Sequence, residues 1–263
     1  MDGLDILVTN DDGVDAVGFQ ALYEELSTIG NVTAVAPDDD QSAVGRTVSE
    51  SVSAHGHELG YVVEGTPADC VIAGLSSLLP ETDLVVAGCN HGANLGAGVL
   101  GRSGTVSAAV EAAFLGVPAL STSMYVPNPH WEKTDGLSIE QFDTAVRATA
   151  YLAERALQDD VFQTIDYLNV NSPLADRATG EMRLTYPSEV YELYSEQDES
   201  EIRIQNSIWE KLDRGSIPDP EGTDRRAILE NCISVSPLTV TQAIEENSAL
   251  DGLVAEFSNL SHQ

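Results

Sequence analysis

"LDILVTNDDGVDAVGFQALYEEL", Leu4 to Leu26, decides the fold. Its first six residues form an apolar run of strand length. Asn10, Asp11, Asp12 and Gly13 then break the run, and Phe19, Leu22, Leu26 and Ile29 recur at helical spacing. Gly30 follows as the expected helix C-cap, and "NVTAVAP", ending at Pro37, reads as the second strand. A strand, an acidic turn, a helix and another strand make the opening of a parallel sheet.

The same rhythm continues. "TPADCVIAGLSSLLP" reads as a helix with Thr66 as N-cap and Pro67 at its first position, "DLVVAG" as a buried strand, "SGTVSAAVEAAFLG" as a small-residue helix and "PALSTSM" as a further strand. After residue 125 come a proline-bearing connector, "VPNPHWEKTDG", a long amphipathic helix, "SIEQFDTAVRATAYLAERAL", and "DYLNVNSP", read as the last strand of the main sheet. "EMRLTYPSEVYELYSEQDESEIRIQNSIWE" resembles a two-stranded excursion rich in Tyr and Trp, suited to a subunit contact or to packing on the parent domain. "DRRAILENCISVSPL" reads as a helix and a strand. The expected class is α/β, a mainly parallel sheet with helices on both faces, whose function gathers at the carboxyl ends of the strands.

Composition narrows the setting. The 263 residues are 42% apolar, enough for a sizeable core, and no run approaches the roughly 18 to 20 uncharged apolar residues that span a bilayer. "MDGLDILV" has no basic region ahead of its apolar one, so the chain reads as cytoplasmic. Cys70, Cys89 and Cys232 have no zinc or disulfide spacing and read as small buried apolar residues. The formal charge of −31, from 43 acidic against 12 basic residues, opposes nucleic-acid polymers and anionic membranes. Self-repulsion of that size is relieved when 1 M salt shortens the screening length to roughly 3 Å, which points to a halophile's enzyme.

Three stretches carry chemistry. Asp11 and Asp12 repel each other unless something positive lies between them, and a turn through Gly13 lets both converge on one hard cation such as Mg²⁺ or Mn²⁺; an Asx turn with a helix cap is the other reading. In "GCNHGANLGAGVLGRSGTVSAA", Asn90 and Asn94 offer amides to a metal or a phosphoryl oxygen, and Ser103, Gly104 and Thr105 stand at a helix start suited to phosphate. His91 can donate a proton to a leaving group or serve as a loop hydrogen-bonder. In "APDDDQSAVGRT", Ser42 offers a hydroxyl to the ion, and Arg46 either offsets phosphate charge or is an ordinary surface arginine. Gly96, Gly98 and Gly101 spell the dinucleotide pattern without its strand context or acidic partner, and "GVLGRSGT" lacks the Walker lysine.

Together, "ILVTNDDG", "VAPDDDQSAVGRT", "GTPADCV", "DLVVAGCNHGANLG", "SGTVSAA" and "ISVSPLT" resemble the SurE family, the survival-protein-E nucleotidases. The resemblance implies a Rossmann-like, doubly wound core over residues 1–180. It also implies a protruding hairpin and helix/strand region over 181–263 that joins subunits into homodimers or homotetramers. The implied activity is hydrolysis of nucleoside 5′-monophosphates, with 3′-monophosphates and short polyphosphate as further substrates, dependent on one divalent ion (Mg²⁺ or Mn²⁺) per subunit. By motif position, Asp11, Asp12, Ser42 and Asn90 would hold the metal, and Asn10, Asn94, Ser103, Gly104 and Thr105 would surround the phosphate. Asp11, Asp12 and Asn94 would then be catalytic, with a metal-activated water as nucleophile. Ala43 stands where some members have Gly, and Cys89 replaces an expected Ile. A haloacid-dehalogenase-type phosphatase would need its nucleophilic Asp where this chain has Asn10, and a nucleotide-binding module without turnover is the remaining alternative.

Overall fold

The strand read at Leu4–Thr9 lies near the middle of a nine-stranded sheet. The computed structural model describes residues 3–127 and 137–241. The elements run β1 (Leu4–Thr9), α1 (Val17–Leu26), β2 (Gly30–Pro37), β3 (Ala54–His57), β4 (Gly60–Val63) and α2 (Pro67–Ala73), which continues as a π turn through Leu78. Then come β5 (Leu84–His91), α3 (Ala97–Leu100), α4 (Gly104–Phe114), β6 (Ala119–Tyr125), a 3₁₀ turn (Ile139–Phe142), α5 (Asp143–Gln158) and β7 (Tyr167–Pro173). The remainder is β8 (Met182–Leu184), β9 (Leu193–Asp198), β10 (Glu201–Asn206), α6 (Ser207–Asp213), α7 (Asp224–Leu229) and β11 (Ile233–Leu238).

Sheet order is β3-β4-β2-β1-β5-β6-β7-β11-β8, and the six strands from β4 to β7 pair in parallel. Alternation in β1 separates two cores. Ile6 and Val8 pack with Phe19 and Leu22 of α1 and Val146 of α5, whereas Leu7 packs on the other face with Val71 of α2 and Val106 of α4. Leu7 and Val8 are fully buried, each worth about 2 kcal/mol relative to exposure. The α/β class and the helices on both faces are therefore as expected. The chain moves from β1 to β2 on one side and later returns to β5 on the other, so a switch point lies between β1 and β5, the place where open α/β sheets bind ligands.

Several details differ from expectation. Gly30 opens β2 instead of capping α1; its backbone lies so close to Leu4 O that a Cβ would sit 2.3 Å away. The hairpin β3–β4 was not legible, because its sequence AHGHELGYVV is polar, glycine-bearing and placed at the sheet edge. β7 is not the last strand of the main sheet: β11 pairs antiparallel with it, and β8 pairs parallel with β11. The sheet thus crosses the boundary expected at residue 180, while β9 and β10 form the expected separate two-stranded ribbon. Most of the proline-bearing connector lies outside the described residues. No helix among the described residues is long and apolar enough to cross a membrane.

Candidate active site

A cleft of about 1150 Å³ opens over the carboxyl ends of β1, β2 and β5. Asp11 and Asp12 follow β1, Ser42 lies in the loop after β2, and Asn90 is the last residue but one of β5; all four line the cleft, as do His91, Asn94 and Ser103. Residues separated by up to 92 positions converge there because parallel strands put their exits on one edge.

Asp11 is held from behind. Thr105 donates its hydroxyl to Asp11 Oδ1 at 2.5 Å and its backbone N–H to Oδ2 at 3.1 Å. The first turn of α4 approaches so closely that a Cβ on Gly104 would lie 2.8 Å from the Asp11 carboxylate, so glycine is required there. Ser103 caps the same helix, its Oγ accepting from Val106 N at 3.1 Å. Burial raises the Asp11 carboxyl above its ordinary range, and the Thr105 bonds oppose that rise. Asp12 is pushed up to about 7 by burial and then by the Asp11 charge, against a hydrogen bond from His91 N to its Oδ2 at 2.9 Å. The charges acting on this pair are their own and that of Asp40, with no Arg or Lys among them.

The glycine loop is fixed by amides. Asn94 accepts at its carbonyl from Asn169 and Asn171 side chains at 3.0 and 3.1 Å, donates its N–H to Asn171 Oδ1, and donates from Nδ2 to Ser123 Oγ at 2.9 Å. Asn90 Nδ2 donates to Gly92 O at 2.5 Å, which leaves its Oδ1 as the ligating atom. The imidazole of His91 has its pKa lowered by burial.

Among the described residues no group of three or more His, Cys, Asp or Glu side chains is placed to hold a metal ion. A cation here is therefore offered two carboxylates completed by neutral oxygens, those of Ser42 and Asn90. All-oxygen donors around a mutually repelling pair fit a hard divalent ion and suit neither zinc nor copper.

Other expected residues stand elsewhere. Asn10 is fully buried, with Nδ2 donating to Gly13 O at 2.7 Å, and lines no part of the cleft. Gly104 and Thr105 lie beneath Asp11, and Thr105 gives both its hydroxyl and its N–H to that carboxylate. Arg46 is turned away: it pairs with Glu111 at 2.6 Å and stacks on Phe114, 4.8 Å from the ring centroid. The arginine lining the cleft is Arg102, held at Nε by Gly98 O.

Sequence reasoning also missed a buried brace. Asp224 accepts from the N–H groups of Gly96 at 2.6 Å and Ser188 at 3.0 Å, while Arg225 pairs with Asp219 and reaches Leu95 O. This brace ties the C-terminal segment to the glycine loop. "TDRRA" looks like an ordinary helix start, and only the 128-residue separation between Gly96 and Asp224 reveals its use.

The chain is 53% identical over 261 residues to a 5′-nucleotidase SurE of Haloarcula marismortui, covering 98% of this chain and 96% of that one. It is 54% identical over 262 residues to a 5′-nucleotidase SurE of Natronomonas pharaonis, covering 97% and 100%. The SurE crystal structure from Aquifex aeolicus superposes with a TM-score of 0.76 at 28% identity over 97% of this chain and 99% of that one. With the family model "Survival protein SurE" matching residues 6–192, the chain belongs to the survival protein SurE family.

Proposed function

We propose that this cleft hydrolyses nucleoside 5′-monophosphates to nucleoside and phosphate, and that 3′-monophosphates and short polyphosphate are further substrates. The observation that carries the reading is the convergence of Asp11, Asp12, Ser42 and Asn90 at the β1/β5 switch point. The names of the relatives support it. Those four residues would hold one Mg²⁺ or Mn²⁺ per subunit, and such an ion supplies Lewis acidity toward a phosphoryl oxygen and a water of lowered pKa.

The chain's own residues do the rest. Thr105 fixes the orientation of Asp11, and His91 N fixes that of Asp12. Asn169 and Asn171 fix the backbone of Asn94 and Ser123 holds its side-chain amide, which presents a preorganised dipole to the cleft, and α4 aims its positive end toward the same space. In a chain of charge −31, these local fields act at contact distance while molar salt screens the remote negative charge. The protruding β9–β10 ribbon, with Ile202 and Ile204 exposed, is the expected homodimer or homotetramer contact.

The test is phosphate release from AMP in molar KCl with Mg²⁺ or Mn²⁺. The wild type should be active only with the ion, and Asp11→Asn should lose at least a hundredfold. Near wild-type turnover by Asp11→Asn would remove the basis of the proposal.

A further inference from the structure

One peptide unit of the glycine loop is gripped at both ends by two neighbouring side chains from far along the chain. Gly96 N donates to Asp224 Oδ2 at 2.6 Å, and Arg225 Nη2 donates to Leu95 O at 3.4 Å. The two preceding peptide units are held by amides: Asn94 N donates to Asn171 Oδ1 at 2.8 Å, and Asn94 O accepts from Asn169 and Asn171. Residues 92–96 lie between β5 and α3, so these side chains replace the partners that a helix or a strand ladder would supply. Asn94, which lines the cleft, therefore sits within three consecutive peptide units fixed from outside the loop.

Asp224 and Arg225 open α7 and are 0% and 2% exposed. Asp224 Oδ1 accepts from Ser188 N at 3.0 Å and Arg225 N at 2.8 Å, so the carboxylate receives three backbone N–H groups in all. Arg225 pairs with buried Asp219 at 3.2 Å, and its guanidinium lies so close to the loop that a Cβ on Gly96 would stand 2.0 Å from Nη2. Apolar residues in place of such buried ions are often neutral or stabilising, so stability alone does not account for the arrangement. Leu95, fully buried with Ile208, Leu212 and Ile228, already anchors the loop by apolar contact. What the charges add is direction: bonds to the N–H and C=O of one peptide unit fix its rotation, which apolar contact does not.

We propose that Asp224, together with Arg225, is a positioning residue for Asn94: it fixes the peptide plane that follows Asn94 and so sets the angle at which the Asn94 amide meets phosphoryl oxygens. Asp224 acts only through the loop. The inference rests on the nucleotidase reading and deepens it, because it makes the C-terminal segment a determinant of turnover. A misplacement on the order of 1 Å at a reacting centre costs up to about a hundredfold in rate, which sets the size of effect expected.

Asp224→Asn keeps the shape of the side chain and removes one acceptor. With its oxygen on the N–H groups of Ser188 and Arg225, its amide meets Gly96 N–H donor to donor. Hydrogen exchange in molar KCl should then show lost protection at Gly96 and none lost in β1. With Mn²⁺ and AMP, kcat should fall by about ten- to a hundredfold. Val71→Ala, a truncation in the core beneath α2 and away from the cleft, serves as the stability control and should keep the wild-type kcat. The deciding measurement is a double-mutant cycle with Asn94→Ala: in that background Asp224→Asn should cost less than about threefold, because the two residues act as one unit. Should Asp224→Asn not fold, Arg225→Lys enters the same cycle; it keeps the charge beside Asp219 but gives up the planar fork that reaches Val190 O and Leu95 O together. Additive losses, unchanged exchange at Gly96, or an equal fall of kcat in Val71→Ala overturns the proposal. If the wild type hydrolyses no AMP with any divalent ion, the nucleotidase reading fails. The cycle is then read on affinity for orthophosphate in Mn²⁺: coupling supports the positioning role, and additivity, or no binding by the wild type, overturns it.

Discussion

Thr105 gives both its hydroxyl and its backbone N–H to the carboxylate of Asp11, a residue 94 positions earlier in the chain. The side-chain half of that clamp can be removed without changing shape. Thr105→Val leaves a buried carboxylate oxygen short of one donor, which costs about 1–3 kcal/mol in stability. It should also loosen the orientation of Asp11, weakening Mn²⁺ binding and lowering kcat/KM for AMP by about ten- to a hundredfold. Calorimetric titration with Mn²⁺ and the thermal transition measure the two effects separately; a variant with unchanged affinity for Mn²⁺ would show that the clamp only supports the fold.

The raised pKa of Asp12 makes stability depend on pH. In the folded chain stripped of metal, the Asp12 carboxyl titrates near 7, against an ordinary value of 3.8, because of burial and the Asp11 charge. Between those values the folded state holds a proton that the unfolded state has released, so stability falls as pH rises from about 4 to about 7 and levels above it. Asp12→Asn should remove that part of the slope, and saturating Mn²⁺ should flatten it in the wild type by taking the place of the proton. Thermal melts in EDTA at molar KCl across this range provide the check, and equal slopes in wild type and Asp12→Asn would contradict the assignment.

Ala43, beside Ser42, has φ +59°, in the left-handed region where a Cβ is unfavourable. That strain is about 1–2 kcal/mol, against about 0.4–1 kcal/mol of extra unfolded-state freedom that a glycine brings. The difference favours Ala43→Gly by up to about 1.6 kcal/mol, or up to roughly 3 °C in Tm for a chain of this size. Calorimetry in molar KCl tests it, and a lowered Tm would mean that the Ala43 methyl makes contacts outweighing the strain.

What could be read in the sequence follows from where the physics is local. The β1 strand and its turn were legible because a central strand buried on both faces has no polar alternation, and because two adjacent carboxylates at its end need a reason. The edge hairpin β3–β4, half-exposed and carrying His55, Gly56 and His57, lacks that signature. Arg46 and Arg102 look equivalent in sequence; Glu111 and Phe114 on α4 take one and leave the other to the cleft. Trp209 read as part of an aromatic ribbon, and the turn from β10 into α6 moves it to the cleft wall. Contacts such as Thr105 to Asp11 and Gly96 to Asp224 depend on long-range closure, which no local pattern encodes.

The ribbon is also where the charge of the chain is felt most directly. In the antiparallel register of β9 and β10, Asp198 stands directly opposite Glu201, a like-charge pair at the exposed tip with Glu199 exposed nearby, while Arg203 faces Glu196 and pairs with Glu201 at 2.9 Å. Like charges in cross-strand pairs destabilise a ladder, and their repulsion is screened over roughly 3 Å in 1 M salt but about 10 Å in 0.1 M. Lowering KCl should therefore open this ribbon before the sheet, and further dilution should unfold the whole chain, whose charge is −31. Hydrogen exchange at 2, 0.5 and 0.1 M KCl should show β9 and β10 losing protection first, with β1 and β5 last. Asp198→Lys should restore ribbon protection at the intermediate salt by turning repulsion into attraction. A chain with the same Tm at 0.1 and 2 M would mean that its acidity is not an adaptation to salt.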